Sequence, residues 1–93
     1  MTQGEALILE GPVNIHTVPV LVGQIPSLLN SGVRRVDFSK VTLVDSAAVA
    51  LALEWQRLAS ARNLPISFLN VPETLQNLAN LYGVTDVITP SAA

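Results

Sequence analysis

The chain contains no cysteine, a single histidine and few charges: Asp, Glu, Lys and Arg make up 13% of its 93 residues. The lack of thiols excludes a thiolate zinc site, an iron–sulfur cluster and a disulfide, and nothing argues for an oxidising compartment. Any Ser-His dyad has only His16 to draw on, and that residue stands in a loop just ahead of a helix start. The carboxylates Glu5, Glu10, Asp37 and Asp45 are not paired at a spacing suited to acid–base catalysis. Gly4, Gly11, Gly23, Gly32 and Gly83 are scattered, so there is no glycine-rich phosphate cradle. Five basic residues against seven acidic, with an isoelectric point near 5.0, leave no electrostatic footprint for nucleic acid. The longest apolar run, residues 47–53, is far short of the ~20 residues that span a bilayer. Met1-Thr2-Gln3-Gly4-Glu5 has no positively charged stretch, so no secretory signal is expected. These absences predict a cytoplasmic protein that is not an enzyme and holds no metal or cofactor.

What is present is apolar: 49% of the residues are hydrophobic and the mean hydropathy is +0.47. A chain of this length has room for one core and buries roughly two thirds of its unfolded surface. Residues 1–93 therefore read as a single domain, with surplus apolar area left on the outside for a partner to cover.

Taken in order, Ala6-Leu7-Ile8-Leu9-Glu10 reads as a buried strand closed by a turn at Gly11-Pro12, and Val13-Asn14-Ile15 as a short strand pairing back on it. Thr17 followed by Pro19 marks a helix start with a hydroxyl cap. Val18, Leu21, Ile25 and Leu28 recur at helical spacing, Val22 and Leu29 widen the stripe, and Pro26 is expected to bend the helix or end it early. Residues 33–38 alternate as a strand. A tight connection at Ser39-Lys40 and the short run 41–44 lead to Asp45-Ser46 and a long alanine-rich helix reaching about Arg62. Residues 66–69 form another strand, Pro72-Glu73 opens a further helix that Gly83 closes, and residues 84–88 read as a last strand. Strands alternating with helices in so short a chain predict an α/β sandwich on a mixed sheet.

Two features of the central helix bear on function. A strand delivering Asp45-Ser46 to a first helical turn sets a hydroxyl beside unpaired N–H groups and the positive end of the helix dipole, although either residue could serve simply as the cap. The helix also carries two apolar stripes. Leu51, Trp55 and Leu58 lie on one, with Ala47, Ala48 and Ala59 beside them; Val49 and Leu53 lie on another. Four alanines at 47, 48, 50 and 52 keep the helix start thin enough for a second chain to approach closely.

The stretch Val36-Asp37-Phe38-Ser39, followed by Val44-Asp45-Ser46-Ala47-Ala48-Val49, resembles the STAS domain, the fold of bacterial anti-anti-sigma factors. The resemblance extends over nearly the whole chain. It implies a STAS-like sandwich of a mixed four- to five-stranded sheet with about three helices, and places Asp45 and Ser46 on the family's aspartate and its phosphorylatable or partner-reading hydroxyl. Ala47 and Ala48 depart from the switch-type pattern, which has a second serine and a glycine there. The run Thr74-Leu75-Gln76-Asn77-Leu78-Ala79-Asn80-Leu81-Tyr82-Gly83-Val84 and the segment Asp86-Val87-Ile88-Thr89-Pro90 are similar to the STAS subunits of the Mla phospholipid-trafficking system. That similarity implies an accessory subunit peripheral to the inner membrane. It would bind the ATPase subunit of an ABC transporter through Asp45, Ser46, Ala47, Ala48 and Val49, with Val22 of the preceding helix. The alternative it implies is an anti-anti-sigma factor whose partner, an anti-sigma kinase, phosphorylates Ser46.

Overall fold

The computed structural model describes residues 5–88. β1 (Glu5–Val13) leads through α1 (Val18–Asn30) to β2 (Val33–Val44), and α2 (Ser46–Ala61) connects that strand to β3 (Ser67–Leu69). α3 (Glu73–Leu81) and a single turn, α4 (Thr85–Ile88), follow. β2 is the central strand, with β1 and β3 each parallel to it. Two right-handed crossovers in the order β1-β2-β3 put their helices on one face of the sheet.

The strand periodicity decides which side chains meet those helices. Along β2, Val36 and Phe38 point inward and are buried, while Arg35 and Asp37 point to the opposite face. Phe68 pairs across from Val36 and packs edge-on against Phe38, their ring centroids 6.2 Å apart. Against this layer α1 sets Val18, Ile25 and Leu29, α2 sets Ala48, Leu51, Ala52, Trp55 and Ala59, and α3 sets Leu75 and Ala79. Arg34 closes the far end of the core, donating from Nη1 to the Leu29 carbonyl in the last turn of α1, where the helix dipole favours a cation.

Among the described residues the sheet has three strands, all parallel, in place of the mixed four- to five-stranded sheet expected. Local hydrogen bonding explains one missing strand. The Asn14 side chain accepts from the N–H groups of His16 (2.9 Å) and Thr17 (3.2 Å), and Thr17 Oγ1 accepts from the Asn14 N–H at 2.9 Å. These bonds fold residues 14–17 into a turn and divert backbone donors from any pairing with β1. At the other missing strand, Gly83 adopts a left-handed conformation (φ +72°) that returns the Val84 N–H to the Ala79 carbonyl. The chain is thereby turned into α4 and away from the sheet edge.

Other boundaries also moved. β1 continues through Gly11-Pro12, where Gly11 takes φ +75° and the register shifts, and β2 continues through Ser39-Lys40 to Val44. Thr17 precedes α1 without capping it; its hydroxyl donates to the Pro12 carbonyl at 3.1 Å instead. Pro26 sits within α1 without ending it.

Candidate functional site

At the carboxyl end of β2 the strand passes directly into α2, and Asp45 holds the junction. It is the N-cap: Oδ1 accepts from the Ala47 N–H at 2.8 Å, and its carbonyl accepts from the Ala48 N–H at 3.0 Å. The second carboxylate oxygen, Oδ2, accepts from the Ile15 N–H at 3.2 Å, and the Asp45 N–H reaches the Val13 carbonyl at 3.4 Å. One residue therefore caps α2 and ties the loop after β1 to the loop after β2.

With Asp45 as the cap, Ser46 becomes the first helical residue and its side chain is exposed. Its hydroxyl makes no hydrogen bond among the described residues. Exposed apolar side chains stand near it: Ile15 and Leu43 are each 62% exposed. Along α2 the exposed stripe runs from Ser46 through Ala50 to Leu53, which is 38% exposed, and is followed by the charged pair Glu54 and Arg57. Arg57 is paired with Glu54, Nε to Oε1 at 3.0 Å, one turn beyond the site. A hollow of about 120 Å³, lined by Val41, Thr42, Leu43, Val44, Pro72 and Thr74, lies beside Leu43.

The residues expected at the contact separate into two groups. Asp45, Ser46 and Ala47 reach the surface or its edge. Ala48 and Val49 do not: they are 0% and 4% exposed, so their side chains belong to the core. The sequence pattern puts Val49 and Leu53 on one stripe, yet the helix phase turns Val49 inward and leaves Leu53 outside. Val22 is half-buried and packed against the core, so only its edge is accessible. Trp55 and Leu51 lie on the buried stripe. Ile15, Leu43, Ala50 and Leu53 were not singled out as contact residues. Leu43 alone left a trace in the sequence, because it breaks the alternation of β2 by standing next to Val44.

Asp37, in the β2 segment that resembled the STAS pattern, is structural. Its Oδ1 accepts from the Ser39 N–H (2.8 Å) and from Asn70 Nδ2 (3.0 Å), tying β2 to the end of β3. The Asn70 amide, and after it the Ser39 N–H, holds the Asp37 carboxyl below its ordinary pKa. His16 lies in the exposed turn before α1. Among the described residues no group of three His, Cys, Asp or Glu is placed to hold a metal ion, and no helix is long and apolar enough to cross a membrane.

No functionally curated protein matches the chain. Among solved structures it is similar to the anti-sigma factor antagonist SpoIIAA in its unphosphorylated form, with a TM-score of 0.70, 22% identity, and coverage of 99% of this chain and 84% of that one. It is likewise similar to the Bacillus cell fate determinant SpoIIAA in the phosphorylated form, with a TM-score of 0.66, 21% identity, and coverage of 99% and 87%. At these identities the likeness shows a shared fold. The family model described as "Mlab, STAS domain" matches residues 2–90. The turn at Asp45-Ser46, the helix it opens and the α/β layer behind them are thus those of a STAS domain, and the chain belongs to the MlaB-type STAS family.

Proposed function

We propose that this chain is a non-catalytic, cytoplasmic accessory subunit. It binds and tunes the ATPase of an ABC transporter that moves phospholipid to maintain outer-membrane lipid asymmetry, and it is held at the inner membrane through that ATPase. The observation carrying this reading is the exposed Ser46 hydroxyl, unbonded among the described residues, beside the Asp45 cap and among the exposed apolar side chains of Ile15, Leu43, Ala50 and Leu53. Exposed apolar side chains beside an unbonded hydroxyl suit burial against another protein, which supplies the hydroxyl's partner. The match to the MlaB-type family model supports the choice of partner. The test is to mix purified ATPase with this protein. Co-elution and a changed rate of ATP hydrolysis are expected; separate elution with an unchanged rate refutes the reading.

A second reading, an anti-anti-sigma factor switched by phosphorylation of Ser46 by an anti-sigma kinase, draws support from the likeness to SpoIIAA, solved with and without phosphate. The local chemistry weighs against it. Asp45 already occupies the N–H groups of Ala47 and Ala48, and its carboxylate stands next to Ser46. A phosphate there gains few backbone donors and meets a like charge. Mass spectrometry of the protein from stressed cells separates the readings: phosphate on Ser46 favours the switch, and its absence favours the transporter subunit.

A further inference from the structure

Side chains hold the turn between β1 and α1 from within. Asn14 Oδ1 accepts from the N–H groups of His16 at 2.9 Å and Thr17 at 3.2 Å, and the Asn14 N–H donates to Thr17 Oγ1 at 2.9 Å. The Thr17 hydroxyl donates in turn to the Pro12 carbonyl at 3.1 Å, and the Val18 N–H returns to the Asn14 carbonyl at 2.9 Å. Residues 14–17 are therefore an Asx turn with its polar groups matched to one another.

The residue this turn displays is Ile15, 62% exposed, a β-branched side chain where turns ordinarily carry Gly, Asn, Asp or Ser. It takes no part in the core, which Val13 and Val18 enter on either side of it. Its N–H donates to Asp45 Oδ2 at 3.2 Å, while Oδ1 of the same carboxylate accepts from the Ala47 N–H at 2.8 Å. One carboxylate thus fixes the backbone of Ile15 against the first turn of α2, where Ser46 is exposed.

We propose, resting on the ATPase reading of the Ser46 surface, that Ile15 is an anchor side chain of that contact and Asn14 its positioning residue. The apolar patch that the ATPase covers then crosses from α2 to the loop after β1, with Asp45 as the bridge between them. Isoleucine supplies apolar area to bury. Asn14 supplies geometry: a side chain already held where the partner meets it loses little freedom on binding, so the turn raises affinity without itself touching the ATPase.

Titration calorimetry of the purified ATPase against the full chain tests this with wild type, Ile15→Ala, Asn14→Ala and the double variant, urea midpoints showing each to be folded. Ile15→Ala, at an exposed position, should leave the midpoint nearly unchanged and weaken binding about tenfold. Asn14→Ala should weaken binding about threefold while Ile15 is present, and by less than about 1.5-fold once Ile15 is alanine, because its effect passes through that side chain. In the free Asn14→Ala variant, hydrogen exchange should quicken at the Ile15, His16 and Thr17 amides. Asn14→Ser, whose hydroxyl can accept from the same N–H groups, should recover much of the protection and the affinity. If wild type binds and Ile15→Ala binds equally well, Ile15 is no anchor and the proposal falls. An Asn14→Ala loss that persists undiminished in the double variant overturns the positioning role. Wild type that does not bind the ATPase at all removes the ATPase reading and the proposal with it, so the wild-type titration tells the two failures apart.

Discussion

Replacing Asp45 tests how the junction before α2 is held, because its two carboxylate oxygens do different work. Asp45→Ala removes the cap on the Ala47 N–H and the tie to the Ile15 N–H together. Loss of an N-cap costs about 1 kcal/mol, and loss of a loop hydrogen bond at an exposed site adds about 0.5–1 kcal/mol. The sum is about 1.5–2 kcal/mol, or roughly 6–16 °C in Tm for a domain of this size. Asp45→Asn keeps one acceptor oxygen for the cap and turns an amide donor toward the Ile15 N–H, so it should lose about 0.5–1 kcal/mol. Ser46→Ala should change stability by less than about 0.5 kcal/mol, since its hydroxyl bonds nothing within the described fold. Urea unfolding followed by the fluorescence of Trp55, the only tryptophan, measures all three. If Ser46→Ala proves as costly as Asp45→Ala, the assignment of the cap is wrong.

Three further outcomes are expected. Trp55 is fully buried and its Nε1 has no hydrogen-bond partner among the described residues. Trp55→Phe, which deletes that orphaned donor along with some volume, should therefore cost about 1–2 kcal/mol by circular dichroism melts, against about 3–5 kcal/mol for Trp55→Ala. Asp37 has a depressed pKa in the fold, so its contribution is present above the unfolded carboxylate value and is lost as pH falls through the lower folded value. Asp37→Ala should accordingly flatten the fall in stability between about pH 5 and about pH 2, measured as urea midpoints; an unchanged acid limb contradicts this. Ala50→Arg, on the exposed stripe of α2, should leave stability within about 0.5 kcal/mol because arginine is a good helix former, yet weaken binding of the ATPase at least tenfold in titration calorimetry.

The helices and the central strand could be read from the sequence because their periodicities are strong and local. Val18, Ile25 and Leu29 mark α1 at helical spacing, and Val36 and Phe38 alternate with Arg35 and Asp37 in β2. The sheet's composition could not be read, since Gly11-Pro12 and Ser39-Lys40 carry turn signals that pairing between β1 and β2 overrides. Residues 84–88 have strand-like composition, and the left-handed Gly83 decides their direction. At the site, Asp45 and Ser46 are both competent caps, and only the observed geometry, with Oδ1 on the Ala47 N–H, chooses between them. Val49 lies in the core although its stripe reads as a contact surface, because both stripes of α2 are apolar and hydrophobicity alone does not set which way the helix faces.

The most direct measurement is the affinity of the transporter ATPase for the wild-type chain, Ser46→Ala and Ser46→Glu, each first shown to be folded. A carboxylate at position 46 loses its water on burial within an apolar contact. Ser46→Glu should therefore bind at least tenfold more weakly, and Ser46→Ala should stay closer to wild type. Equal affinity for wild type and Ser46→Glu would put the contact elsewhere on the domain.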